Sequence, residues 1–88
     1  ERKRVRGEGL FLAEKAAALG RTGQRVEESL KKLRENSEDD HRARLLKEAA
    51  VAVHAYFIQR ELCGLRRHES VIREYDIPRA VLVRLGAR

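Results

Sequence analysis

Nucleophilic or metal chemistry in this chain would have to be built from three histidines, one cysteine and three serines. His41, His54 and His68 have no metal-ligand spacing among themselves. Cys63 and His68 straddle Gly64, and no second cysteine is present to complete a zinc site. Ser29, Ser37 and Ser70 are not placed to form a triad with a histidine and an acid. Gly20-Arg21-Thr22-Gly23 lacks the strand and the Lys-Ser/Thr pair of a phosphate loop. An enzyme using Glu61 or His54 would need a pocket with a perturbed acid, and nothing in the pattern signals one. His54 reads as a core or interface histidine and Cys63 as a small buried apolar residue. The expectation is therefore no catalysis, no metal and no cofactor.

Binding chemistry has three candidate locations. Gln59-Arg60-Glu61 falls where an apolar stripe should continue, and buried charge must be paired. These residues form a candidate polar cluster at the end of a helical bundle. A structural ion pair, such as Arg60 with Glu74 or Glu61 with a nearby arginine, is the commoner use of such residues. The second location is Gly64–Gly86, two short apolar-patterned segments joined by Asp76-Ile77-Pro78. As a helix-turn-helix it would turn Val71, Tyr75, Ile77, Leu82 and Leu85 inward. Arg79, Val83, Arg84 and Arg88 would face DNA, arginine being suited to phosphate and guanine contact. Ile72 is bulky where the crossing wants a small residue, and Asp76 stands where the turn wants glycine. A hairpin that closes the bundle is the commoner outcome. The third is the basic run Arg2-Lys3-Arg4-Val5-Arg6, with Arg4 and Arg6 as candidate nucleic-acid contacts; such a terminal run is more often a solvated, disordered tail.

The elements that must position these residues are helical throughout. Leucine and alanine far outnumber valine and isoleucine, and glutamate, lysine and arginine are abundant. From about Glu8 to Glu35, Leu12, Ala16, Leu19, Gly23, Val26, Leu30 and Leu33 follow each other at spacings of 4, 3, 4, 3, 4 and 3. A loop at Gly20–Gly23 would reset that phase, so the spacing predicts one continuous helix with a bend. The competing reading is a break capped by Gly20 and Thr22. Gly23 lies in the seam, where a missing side chain lets another backbone approach. Asn36 suits a left-handed C-cap, and Ser37 with Asp40 resembles a capping box. Glu38, Asp39 and Asp40 then bring negative charge to a helix N-terminus.

The second helix is predicted over about Glu38–Cys63, antiparallel to the first. Ala43, Leu46, Ala50, Val53, Phe57 and Arg60 keep the spacing. A neighbouring stripe of Leu45, Ala49, Ala52, Tyr56 and Cys63 widens the face. From Ala49 to Ile58 only His54 is polar, so this helix needs more than one covering neighbour. Ala49, Ala52 and Tyr56 are the candidate dimer face. Gly64 caps the helix. A third helix fits Arg67–Tyr75, and a fourth runs from Pro78 to Leu85, stopped by Gly86.

Eighty-eight residues make one domain with a small core, residues 8–88, behind a basic arm at 1–7. The net charge is +6, and the excess sits at both ends: residues 1–7 and 64–88 each carry +3. A polyanion partner needs such clustering, and solubility alone also produces it. No apolar run spans a membrane, no signal pattern is visible, and a single cysteine suits a reducing cytoplasm.

Four segments together, Gln59-Arg60-Glu61, Cys63-Gly64-Leu65-Arg66, Tyr75-x-Ile77-Pro78 and Leu82-x-x-Leu85-Gly86, resemble a family of small proteobacterial proteins known only as a domain of unknown function. The resemblance covers most of the chain after about Leu10. It implies a bacterial, cytoplasmic, all-helical protein and carries over no catalytic residue. The expectation is an all-α fold: a long antiparallel helical hairpin closed by two short C-terminal helices, working as a homodimer with an unidentified protein partner. Nucleic-acid binding through the C-terminal pair is the alternative.

Overall fold

A computed structural model describes residues 2–36 and 39–85, with side chains from residue 12 onward apart from Asp39. Four helices follow in order: α1 (Arg2–Glu35), α2 (Asp39–Leu62), α3 (Glu69–Glu74) and α4 (Arg79–Leu82). Helix α2 is the central element, packed along α1 and against α4. The all-α hairpin with a short C-terminal closure is the architecture the apolar spacing predicts. Ser37, Glu38, Gly86 and Arg88 lie outside the described residues, as do the side chains of Arg4 and Arg6.

Helix α1 is continuous through both glycines. Thr22 does not cap a break. Its hydroxyl donates back to the carbonyls of Ala18 (3.1 Å) and Leu19 (3.0 Å), as a threonine inside a helix does. Gly23 is buried, and a methyl group there would sit 3.2 Å from both the Tyr56 ring and the Tyr75 hydroxyl. The bare backbone therefore makes room for two tyrosines that meet edge to face, ring centroids 5.7 Å apart.

The α1 seam is buried from Gly23 through Val26 and Leu30 to Leu33, with Leu19 partly buried. Its N-terminal members Leu12 and Ala16 are exposed, where the unbroken spacing predicts burial. The reason is length. Lys15 is level with the end of α2: its ammonium donates to the Leu62 carbonyl at 3.1 Å, and Cys63 Sγ lies 3.9 Å from the Lys15 carbonyl. Residues 2–14 of α1 therefore run past the last turn of α2, about 20 Å of helix. The molecule measures 57 × 25 × 20 Å with a radius of gyration of 15.6 Å. A compact chain of this size would have about 12 Å.

The helix ends are closed by backbone devices that the sequence partly signals. Gly64 (φ +86°) ends α2: its N–H donates to the Glu61 carbonyl (3.0 Å) and the Leu65 N–H to the Arg60 carbonyl (2.9 Å). Helix α3 ends the same way with Asp76 in the left-handed position (φ +53°). The Asp76 N–H donates to the Arg73 carbonyl and the Ile77 N–H to the Ile72 carbonyl. Asn36 does not take the left-handed cap; its backbone N–H and its side-chain amide both donate to the Lys32 carbonyl. The C-terminal helices are shorter than predicted. His68 stands before α3, and Pro78 stands outside α4 in extended backbone (ψ 148°). Residues 83–85 are turn rather than helix.

Candidate functional site

The polar cluster at the end of the hairpin is a structural clamp, and its partners differ from those expected. Arg60 is only 9% exposed. Its Nη2 donates to the Arg67 carbonyl at 2.8 Å and its Nε to His68 Nδ1 at 3.2 Å. The guanidinium also lies 5.9 Å from the Tyr56 ring centroid. His68 stacks flat on Phe57, with centroids 4.1 Å apart, and its Nε2 lies 3.0 Å from Glu61 Oε2. An imidazole that accepts at Nδ1 carries its proton on Nε2. With Nδ1 accepting from Arg60, His68 turns its Nε2 N–H toward Glu61. Among the described residues, neither Glu74 for Arg60 nor an arginine for Glu61 is the partner. Gln59 is not part of this network; it lines a shallow depression on the α1 side with Glu14, Lys15 and Arg21. His68, the hub, was invisible to spacing arguments, because it joins Arg60 across the Gly64 reversal rather than along a helix.

The C-terminal pair also serves the core. Val71, Ile77 and Val81 are buried, and Ile72, Tyr75, Ala80, Leu82 and Leu85 pack against them. Arg34 of α1 donates to the carbonyls of Tyr75 (2.8 Å) and Asp76 (3.1 Å), tying the end of α3 to α1. Burial and the adjacent Tyr56 hydroxyl, with Glu27 and Glu74 nearby, push the Tyr75 phenol up to about 12. Arg79, Val83 and Arg84 are exposed, as a DNA-facing surface requires. But α4 is a single turn, about 6 Å long, against a major groove about 12 Å wide. Arg84 Nη1 folds back onto the Ala80 carbonyl at 3.0 Å.

Ala49, Ala52 and Tyr56 are all buried within one chain, so they present no outer face to a second copy. Their stripe is covered by α1 and the C-terminal segment, the neighbours a broadly apolar α2 needs. The exposed apolar surface lies elsewhere. Val51 (64% exposed), Ile58 (44%) and Leu62 (58%) stand on the outer side of α2 with Ala55 between them, at spacings of 4, 3 and 4. Leu12 (64%) and Leu65 (42%) are exposed at the same end of the hairpin. This second stripe was legible as spacing. What hid it was a helix apolar on nearly every side, in which no single face stands out.

One groove is apolar-floored. It has a volume of about 570 Å³ and lies between α2 (Ala43, Lys47, Ala50, Val51, His54) and the turn after α4 (Arg84, Leu85). Among the described residues no three histidine, cysteine or acidic side chains are grouped to hold a metal. None of the helices is long and apolar enough to cross a membrane, among the same residues.

Fold and surface together define a small all-helical domain whose charged cluster holds a turn in place. The chain belongs to the family of unknown function DUF6665, whose sequence pattern matches residues 7–88. No curated protein matches the chain, and no solved structure does.

Proposed function

We propose that this domain is a non-catalytic protein–protein interaction module, working in a reducing cytoplasm, that self-associates as a homodimer. The observation that carries the reading is the run of exposed apolar residues Leu12, Ile58, Leu62 and Leu65 at one end of the hairpin, continued by Val51. Small monomers seldom expose contiguous apolar surface of this kind without a partner for it. Two copies meeting through the outer side of α2 would also cover the α1 overhang, giving a helical bundle with closed twofold symmetry. The clamp of Arg60, His68 and Glu61 supports a non-catalytic reading, because its members satisfy one another and hold the 63–68 reversal.

Nucleic-acid recognition by Arg79, Arg84 and Arg88, with the basic N-terminal run, is the weaker reading. The one-turn α4 argues against groove reading. Light scattering at micromolar concentration tests the dimer: twice the 10.1 kDa chain mass is expected, and a monomer contradicts it. Anisotropy with duplex DNA across a salt series tests the alternative. A steep salt slope lost in Arg79→Glu/Arg84→Glu would favour it.

A further inference from the structure

The groove between α2 and the turn after α4 lies outside the proposed dimer stripe, apart from Val51. Ala43, Lys47, Ala50 and His54 follow each other along α2 at spacings of 4, 3 and 4, so they form one continuous face. That face is about 16 Å long, three turns of helix. Its floor is made of alanines and Leu85, small enough for a neighbouring helix to lie close. Among the described residues its charged groups are Lys47 and Arg84, with His54 beside them, and none of the lining side chains is acidic. Arg84 Nη1 donates to the Ala80 carbonyl, which ties its guanidinium to the segment that lines the groove. A chain of net charge +6 adds long-range attraction for an acidic partner.

We infer that this groove receives an acidic amphipathic helix of a partner protein. The helix lays its apolar side over Ala43, Ala50 and Leu85 and sets carboxylates against Lys47 and Arg84. The inference deepens the interaction-module reading by naming the partner's chemistry, and it does not require the dimer. A groove three turns long favours a helix over a compact ligand. An apolar floor with Lys47 and Arg84 in the lining favours an amphipathic acidic segment over a nucleic-acid backbone, which needs no apolar floor.

The test uses a labelled helical peptide of about 18 residues, long enough to hold helix, with a Leu/Ala stripe and glutamates elsewhere. A twin carries lysine at every glutamate position, and duplex DNA is a third probe. The whole chain is titrated with each by fluorescence anisotropy. The acidic peptide is expected to bind and the basic twin not. Lys47→Glu/Arg84→Glu should weaken the acidic peptide at least about tenfold and admit the basic one. Ala43→Glu, at an exposed helical position, should block the groove independently. The inference is overturned if the acidic peptide fails to bind, if both peptides bind alike, or if neither variant changes affinity. It is also overturned if DNA alone binds and does so through Lys47 and Arg84. A dimer by light scattering that ignores the acidic peptide sinks the groove assignment and leaves self-association standing. A monomer that binds it does the reverse.

Discussion

Arg60 shows how a single charged residue survives inside a core this small. It replaces water with the Arg67 carbonyl, the His68 ring nitrogen and the face of Tyr56, so its burial is compensated at each N–H direction in use. The placement of Arg60 was legible, since it falls in phase with Val53 and Phe57. Its partners were not, because they arrive through the reversal at Gly64. Arg60→Ala should cost about 1.5–3 kcal/mol in urea unfolding, and Arg60→Lys should recover little, since an ammonium cannot span both acceptors. A double-mutant cycle with His68→Ala should give a coupling of about 0.5–3 kcal/mol; strict additivity would mean the clamp is not a unit. Tyr75 makes a prediction in pH. Its phenol is raised from 10 to about 12, chiefly by burial, so the folded state favours the protonated form. That stability is complete below pH 10 and is lost as pH climbs from 10 to about 12. Tyr75→Phe should flatten the alkaline limb of the stability curve; an unchanged limb would assign it to other groups. Asp76 holds a left-handed backbone that glycine adopts without strain, so Asp76→Gly should raise stability by up to about 1 kcal/mol.

Among the elements, α1 was read from spacing over about Glu8–Glu35, and its continuity through Gly20 and Gly23 follows from a phase that never resets; the helix begins earlier, at Arg2, taking in residues 2–7 that were expected to form an arm. The two glycines are not equivalent. A methyl at Gly20 meets nothing within 4 Å, whereas one at Gly23 meets two tyrosines at 3.2 Å. Gly20→Ala should therefore stabilise by about 0.5–1 kcal/mol through helix propensity. Gly23→Ala should gain clearly less, or lose, because Tyr56 and Tyr75 must shift. Thermal unfolding of both variants checks the contrast, and equal gains would contradict the packing described for the seam. The short C-terminal helices were harder to bound. Two apolar residues per turn announce α3 and α4, but their ends are set by Asp76 adopting a glycine-like backbone and by Pro78 standing extended. Nothing in residue type forces either. Asn36 is the reverse case: its type suits a left-handed cap, and the Lys32 carbonyl takes its hydrogen bonds instead.

At the scale of the whole molecule, the wide apolar face of α2 correctly signalled several covering neighbours, yet Ala49, Ala52 and Tyr56 proved to be the ones covered within the chain. Which stripe is left over depends on where the C-terminal helices dock, and that is a tertiary outcome no local pattern encodes. The outcome leaves a rod with a core toward one end and exposed leucines toward the other. Two surfaces of different chemistry result, an apolar end proposed for a second copy and a groove lined by Lys47 and Arg84 proposed for an acidic helix. Self-association is the claim on which the molecule's design turns, and sedimentation equilibrium across the micromolar range tests it most directly. The parent is expected to fit a monomer–dimer equilibrium. Ile58→Glu/Leu62→Glu, which alters only exposed positions, is expected to remain helical and run as a monomer. A parent that is monomeric throughout, or a double variant that dimerises as the parent does, would contradict the account.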